Sequence, residues 1–145
     1  MTKVFVDASV FFAACYSRTG SSRELFLRAI GEEITIVVSS HVLIEVERNL
    51  AQKAPAAIAA FRELVDLVPA EVVERPSLEQ IQQAAAYTEL KDAPIVAAAI
   101  KAGVGYLVTW DRRHLIDDPN VASGSGLLIL TPDDLLAQVR RENRK

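Results

Sequence analysis

Cysteine, methionine and tryptophan each occur once in this 145-residue sequence, and histidine only twice. A lone Cys15 cannot close an internal disulfide, and no Cys or His near it gives a zinc-site spacing. Its expected role is that of a small buried hydrophobe. No apolar run approaches the roughly 18 residues that a membrane-spanning helix needs. Met1-Thr2-Lys3 leads straight into a strand-like segment without the layout of a signal peptide. The expectation is a cytoplasmic protein with no membrane partner. Basic excess is missing too: 16 Lys and Arg stand against 19 Asp and Glu, a net charge of −3. That balance argues against a broad basic surface for nucleic acid, so any such contact has to be local. No G-x-G-x-x-G follows the first strand and no Walker glycine loop occurs, which counts against dinucleotide binding and P-loop chemistry.

What is present suits a single core, because 50% of the residues are hydrophobic. One domain over residues 1–145 is expected, with no internal repeat. Val4-Phe5-Val6 reads as a buried strand ending at Asp7 and passing at once into a helix through Ala8 to Ala14. Ser21 and Glu24 have the spacing of a capping box, for a helix that should stop near Gly31. Ile34 to Val38 is a β-branched second strand. Ser39 or Ser40 then offers an N-cap for a helix with Val42, Leu43, Val46 and Leu50 as its apolar positions, and Glu45 lies inside it. Pro55 opens another helix with a stripe of Ile58, Phe61, Leu64, Val65 and Val68, before a short strand from Glu71 to Val73. Ser77 with Gln80 repeats the capping-box pattern ahead of Ile81, Ala84, Ala85 and Leu90. Pro94 marks the first turn of a helix running from Ile95 to Ala102 and stopping at Gly103.

Tyr106 to Thr109 is a further strand, followed by Trp110-Asp111, so a carboxylate again stands just past a buried strand. The last strand is Leu127 to Leu130, and Thr131-Pro132-Asp133-Asp134 starts the final helix. Between them, Pro119, Asn120 and Ser123 to Gly126 read as a flexible surface connection. Strands separated by helices imply an α/β fold with a mostly parallel sheet of about five strands, covered on both faces through right-handed crossovers. Ligands of such sheets bind beyond the carboxyl ends of the strands, near a topological switch point, where Asp7 and Asp111 fall. The residues alone leave open whether Glu45 and Asp92 reach the same rim. A haloacid-dehalogenase-type phosphohydrolase also places an Asp after its first strand, but that pattern needs a second Asp two residues on, where this chain has Ser9.

Four segments taken in order carry a resemblance: Val4-Phe5-Val6-Asp7-Ala8-Ser9, Ser40-His41-Val42-Leu43-Ile44-Glu45, Lys91-Asp92-Ala93-Pro94-Ile95 and Leu107-Val108-Thr109-Trp110-Asp111. In order and spacing the chain resembles PIN-domain nucleases from residue 4 to about residue 130. The resemblance implies a three-layer α/β/α fold, divalent-metal nuclease activity, and acidic site positions at Asp7, Glu45, Asp92 and Asp111. Ser9 and Thr109 match supporting polar positions. The implied protein is a ribonuclease, either the toxin of a VapC-type pair with an antitoxin partner or an RNA-processing enzyme. RNA is the expected substrate, with DNA as the alternative, and a homodimer is expected, using the apolar positions after Pro55. Many members of the family carry a further acid two positions after the last one, whereas this chain has Arg113. That departure puts a second metal in doubt and supports a competing reading, a PIN-like interaction module that has lost catalysis.

Carboxylates without His or Cys make a hard oxygen site, which suits Mg2+ or Mn2+. Packed together they repel one another and resist ionisation until cations occupy the cluster. Each residue also has a plainer role. Asp7 and Asp92 could be N-caps, Glu45 a solvated helix residue like Glu47, and Asp117 and Asp118 part of an exposed turn. Arg112 and Arg113 are candidates for phosphate contact, while Trp110 either packs or stacks on a base. His114 is left without a role, and the basic tail from Arg140 to Lys145 reads as a solvated helix end.

Overall fold

A computed structural model of the chain describes residues 2–17 and 20–143. Strands β1 (Thr2–Val6), β2 (Ile34–Ser39), β3 (Glu71–Val73), β4 (Tyr106–Val108) and β5 (Leu128–Leu130) form one sheet in the order β3-β2-β1-β4-β5. All of its neighbouring strands run parallel. The helices are α1 (Ala8–Tyr16), α2 (Ser21–Ile30), α3 (Ser40–Lys53), α4 (Ile58–Leu67), α5 (Leu78–Ala85), α6 (Ala93–Ala102), α7 (Pro119–Ser125) and α8 (Pro132–Asn143). A 3-10 turn at Pro55–Ala57 leads into α4, and a π-helical turn spans Arg112–Ile116. Among the described residues no helix is long and apolar enough to cross a membrane.

The chain steps outward from β1 through β2 to β3, then returns to place β4 on the other side of β1. With right-handed crossovers, that reversal puts the helices before β4 on the face opposite α1 and α2. Helix α1 packs against α2, α3 and α4, while α5 packs on α6 and α6 lies against β2 and β4. The central strand shows why the sheet holds: Val4, Phe5 and Val6 are all fully buried, as a parallel strand covered on both faces requires. Phe11 joins the first layer of helices to one another, its ring centroid 4.8 Å from that of Phe26 and 5.5 Å from that of Phe61. Burial of each such side chain contributes about 1.5–3 kcal/mol. Cys15 is buried beside them, as a small hydrophobe should be.

Ser39 caps α3, accepting a hydrogen bond from the Val42 N–H at 3.2 Å, and Ser77 with Gln80 forms the full capping box of α5. Three expectations need correction. Gly20, not a capping box at Ser21, opens α2, and Glu24 pairs instead with Arg28 one turn on, at 2.9 Å. Leu90 lies beyond the end of α5, whose last turn closes when the Thr88 N–H bonds the Ala84 carbonyl. The stretch read as a loop is α7: Asp118 caps it, Pro119 stands in its first turn, and Gly126 ends it in the left-handed conformation. Gly124 has a packing reason, because a Cβ there would meet the Tyr87 ring at 2.5 Å. At the other terminus Arg140 and Arg141 are exposed on α8, and Arg144 and Lys145 lie outside the described residues.

Candidate functional site

The register of the sheet sets the site. Val6 pairs with Val108, and the Asp7 N–H continues the ladder to the Val108 carbonyl at 3.1 Å. Asp7 therefore leaves β1 beside the point where the chain leaves β4 for Thr109, at the switch point between the two halves of the sheet. Its carboxylate does not cap α1. Instead its Oδ2 accepts the Thr109 hydroxyl at 2.6 Å and the Ser9 hydroxyl at 3.0 Å. Backbone amides aim both hydroxyls: the Trp110 N–H donates to Ser9 Oγ and the Asp111 N–H to Thr109 Oγ1, at 3.1 and 3.0 Å. Burial pushes the Asp7 carboxyl up from its ordinary range, the two hydroxyls pull it back, and the nearby charge of Asp111 adds to the rise.

Asp92 arrives from the other layer, at the entrance of α6. It occupies the N-cap position without using its side chain as a cap. It is 8% exposed, and its buried Oδ2 has no hydrogen-bond partner. Burial also pushes this carboxyl up; Lys91 opposes the shift, and the charges of Asp111 and Asp7 reinforce it. Asp111 is half-buried just past β4 and does act as a cap, its Oδ1 accepting the His114 N–H at 3.0 Å. The same turn swings the His114 ring back, so that Nδ1 stands 3.3 Å from Asp111 Oδ2.

Glu45 completes the set from α3. Asp7, Glu45, Asp92 and Asp111 all line one open cleft of about 380 Å³, so the structure brings the four expected acids together. Ser9 lines it as well, whereas Thr109 supports it from beneath, fully buried. Trp110 borders the cleft, partly exposed, with its indole N–H held by the Ser22 hydroxyl of α2 at 2.8 Å. Arg112 and Arg113 are exposed on the π-helical turn and are not among the lining residues.

Sequence reasoning missed three contributors. Asn49 and Lys53 follow Glu45 at four-residue steps along α3 and line the same cleft, a spacing that places them on one helix face. Lys91 stands 3.9 Å from Asp111 Oδ2 and adds a second cation to the rim. A histidine that the sequence left without a role also stands beside the acids. Asp92, Asp111 and His114 offer ligand atoms all within 4.8 Å of one another, so a nitrogen lies among the oxygens. The donor set suits a divalent cation: a partnerless buried carboxylate oxygen, a second carboxylate and a half-buried imidazole converge from two layers.

A family model described as PIN domain matches residues 3–113 of the chain. No curated protein sequence matches it. Among solved structures, the chain is similar to PAE2754 from Pyrobaculum aerophilum, with a TM-score of 0.68 and 18% identity over 97% of this chain and 90% of that one. It is similar to VapBC2 from Rickettsia felis, bound there to a DNA fragment from its promoter, with a TM-score of 0.63 and 20% identity over 90% and 98% of the two chains. It also resembles VapC20 from Mycobacterium tuberculosis, a toxin that cleaves the sarcin-ricin loop, with a TM-score of 0.54 and 21% identity over 76% and 91%. At these identities the structural likeness speaks to the fold.

Proposed function

The chain belongs to the PIN-domain family, and from that premise we propose that it is a divalent-metal-dependent endoribonuclease, the toxin of a toxin–antitoxin pair. The observation that carries the reading is Asp92, buried with a partnerless oxygen beside Asp111 in a cleft that Asp7 and Glu45 also line. A desolvated carboxylate oxygen without a hydrogen bond is costly unless a cation occupies the space before it. Asp7 and Asp111 are the proposed primary ligands and Asp92 a third. Glu45 is a further ligand or the residue that orients the attacking water. Bound there, Mg2+ or Mn2+ would supply Lewis acidity, easing ionisation of a water and neutralising charge on the scissile phosphate.

The rest of the work falls to the chain itself. Ser9 and Thr109 hold Asp7 in one orientation, since their own lone pairs are engaged by backbone amides. Lys53 and Lys91 on the cleft wall are placed to meet phosphate, and Arg112 and Arg113 are proposed contacts for nucleic acid that extends past Asp111. Local cations of this kind reconcile nucleic acid binding with a net charge of −3. The antitoxin partner is supported by the structural likeness to VapBC2 and to FitAcB from Neisseria gonorrhoeae, the latter with a TM-score of 0.63 and 12% identity over 89% and 97% of the two chains. A homodimer is supported by Val65 and Leu67 of α4 and Val72 of β3, which are exposed and apolar. We take residues 1–145 as one domain, in line with the single core cluster of the described residues.

The competing reading, an interaction module without catalysis, draws on Arg113, which stands where many members of the family carry an acid. One experiment separates the two: cleavage of labelled single-stranded RNA and DNA by the purified chain with Mn2+, Mg2+ or EDTA, alongside Asp7→Asn and Asp111→Asn. Metal-dependent cutting of RNA that both variants lose is the expected result. No cutting of either polymer, or cutting that survives both substitutions, overturns the nuclease reading.

A further inference from the structure

We propose that His114 is a nitrogen ligand of the cation held by Asp92 and Asp111, and that it makes the site select Mn2+ over Mg2+. The proposal rests on the metal-nuclease reading and adds to it the donor that decides which ion is kept. Among the described residues, Asp92, Asp111 and His114 offer ligand atoms that all lie within 4.8 Å of one another. In an octahedral shell with bonds of about 2.1 Å, adjacent donors stand about 3.0 Å apart and opposite donors about 4.2 Å apart. The 3.3 Å between His114 Nδ1 and Asp111 Oδ2 is thus close to the edge of such a shell. The buried Oδ2 of Asp92 is a separate sign that a cation belongs at this spot, since it accepts no hydrogen bond from the described residues.

The local backbone is built to deliver the ring. The turn spans Arg112–Ile116 with π-helical spacing, closed by the Ile116 N–H on the Asp111 carbonyl and the Asp117 N–H on the Arg112 carbonyl, at 3.2 and 2.7 Å. The His114 N–H at the same time donates to Asp111 Oδ1. Main chain and ring of one residue therefore both face the carboxylate of Asp111, and the ring is held near its Oδ2. An oxygen-only site separates Mg2+ from Mn2+ weakly, whereas imidazole is a poor ligand for Mg2+ and a good one for transition ions. Adding one nitrogen to the carboxylates shifts preference toward Mn2+.

The test uses the untagged full chain stripped of metal with EDTA. Calorimetric titration and melting curves with Mn2+ and with Mg2+ are compared for the wild type, His114→Ala and Asp92→Asn, and pulsed EPR of the Mn2+ form looks for nitrogen coupling to the ion. The expected result is a nitrogen coupling that persists in His41→Ala and vanishes in His114→Ala. Mn2+ binding should weaken about tenfold or more in His114→Ala, while Mg2+ binding changes less than about twofold. A Mn2+ complex without nitrogen coupling, or equal weakening for both ions, overturns the proposal and leaves His114 as a hydrogen-bond partner of Asp111, with the nuclease reading intact. Should the wild type bind neither ion, or Asp92→Asn bind both as well as the wild type, the metal reading itself fails and the proposal with it. The wild-type and His41→Ala spectra decide the matter even if His114→Ala does not fold.

Discussion

The two sides of the acidic cleft treat their carboxylates in opposite ways. At the seam between β1 and β4, Asp7 Oδ2 accepts two hydroxyls whose own acceptor sites are filled by backbone amides. At the entrance of α6, Asp92 Oδ2 is buried and accepts nothing. Both carboxyls are pushed up by desolvation, but only that of Asp7 has its burial offset by hydroxyl donors. The seam is therefore a finished piece of protein and the α6 side an unfinished one. Lys91 and His114 offset part of the Asp92 charge, but no hydrogen bond from the described residues reaches its Oδ2.

Substituting each side in turn should bring out this contrast. Asp92→Asn should lower metal-dependent RNA cleavage by about 100-fold or more, because it weakens a group that holds charge next to the phosphate. Mn2+ should raise the melting temperature of the wild type, and the same variant should lose that rise without becoming less stable in EDTA, since an amide replaces a desolvated charge. A metal-free Asp92→Asn that melts well below the wild type would show that Asp92 serves the fold. Thr109→Val should behave in the reverse sense: it strips a fully buried donor from Asp7 and should cost about 1–3 kcal/mol of stability in urea unfolding. An unchanged unfolding midpoint would mean that Ser9 alone satisfies Asp7.

Acidity sharpens the comparison further. A carboxyl whose folded pKa lies above its unfolded value binds more protons in the native state. Its penalty is thus absent below the unfolded value, 3.8 for Asp7 and Asp92, and grows as pH rises through the folded one. Metal-free protein should consequently lose part of its stability as pH rises from about 3.8 through the raised folded values of these carboxyls. Asp92→Asn should flatten that slope, and so should saturating Mn2+. Melting curves in EDTA across this range measure it; a slope that Asp92→Asn leaves unaltered would assign the effect to other groups.

The legible part of this arrangement was the part fixed by strands. Asp7 and Asp111 could be placed from sequence because each follows a short apolar run, and parallel strands bring such ends together. Glu45 and Asp92 sit on helices, where nothing in the local pattern says which way they face, and only the family resemblance singled them out. Asn49 and Lys53 were readable in principle, since four-residue steps from Glu45 mark one face of α3. His114 was not, because its approach to Asp111 depends on a π-helical turn that has no sequence signature of its own. Helix α7 was hidden for a different reason: Gly124 and its serine neighbours look like a loop, yet the glycine is there to admit the Tyr87 ring.

The smallest effect concerns the cations around the cleft. Lys91 is 62% exposed and stands 3.9 Å from Asp111, so it contributes little to stability, but it lines the cleft where a phosphate would enter. Arg112 and Arg113 are exposed on the adjoining turn, outside the cleft lining. If the unfinished side of the cleft is where substrate is drawn in, Lys91→Ala should raise KM for RNA about threefold to tenfold at low salt, with kcat nearly unchanged, and the loss should shrink as salt rises. Arg113→Ala should change KM less than Lys91→Ala does, because Arg113 lies on the exposed turn outside the cleft lining. A larger loss from Arg113→Ala would move the main path of the nucleic acid out of the cleft and along the π-helical turn, and Arg113 would then be a binding residue in its own right.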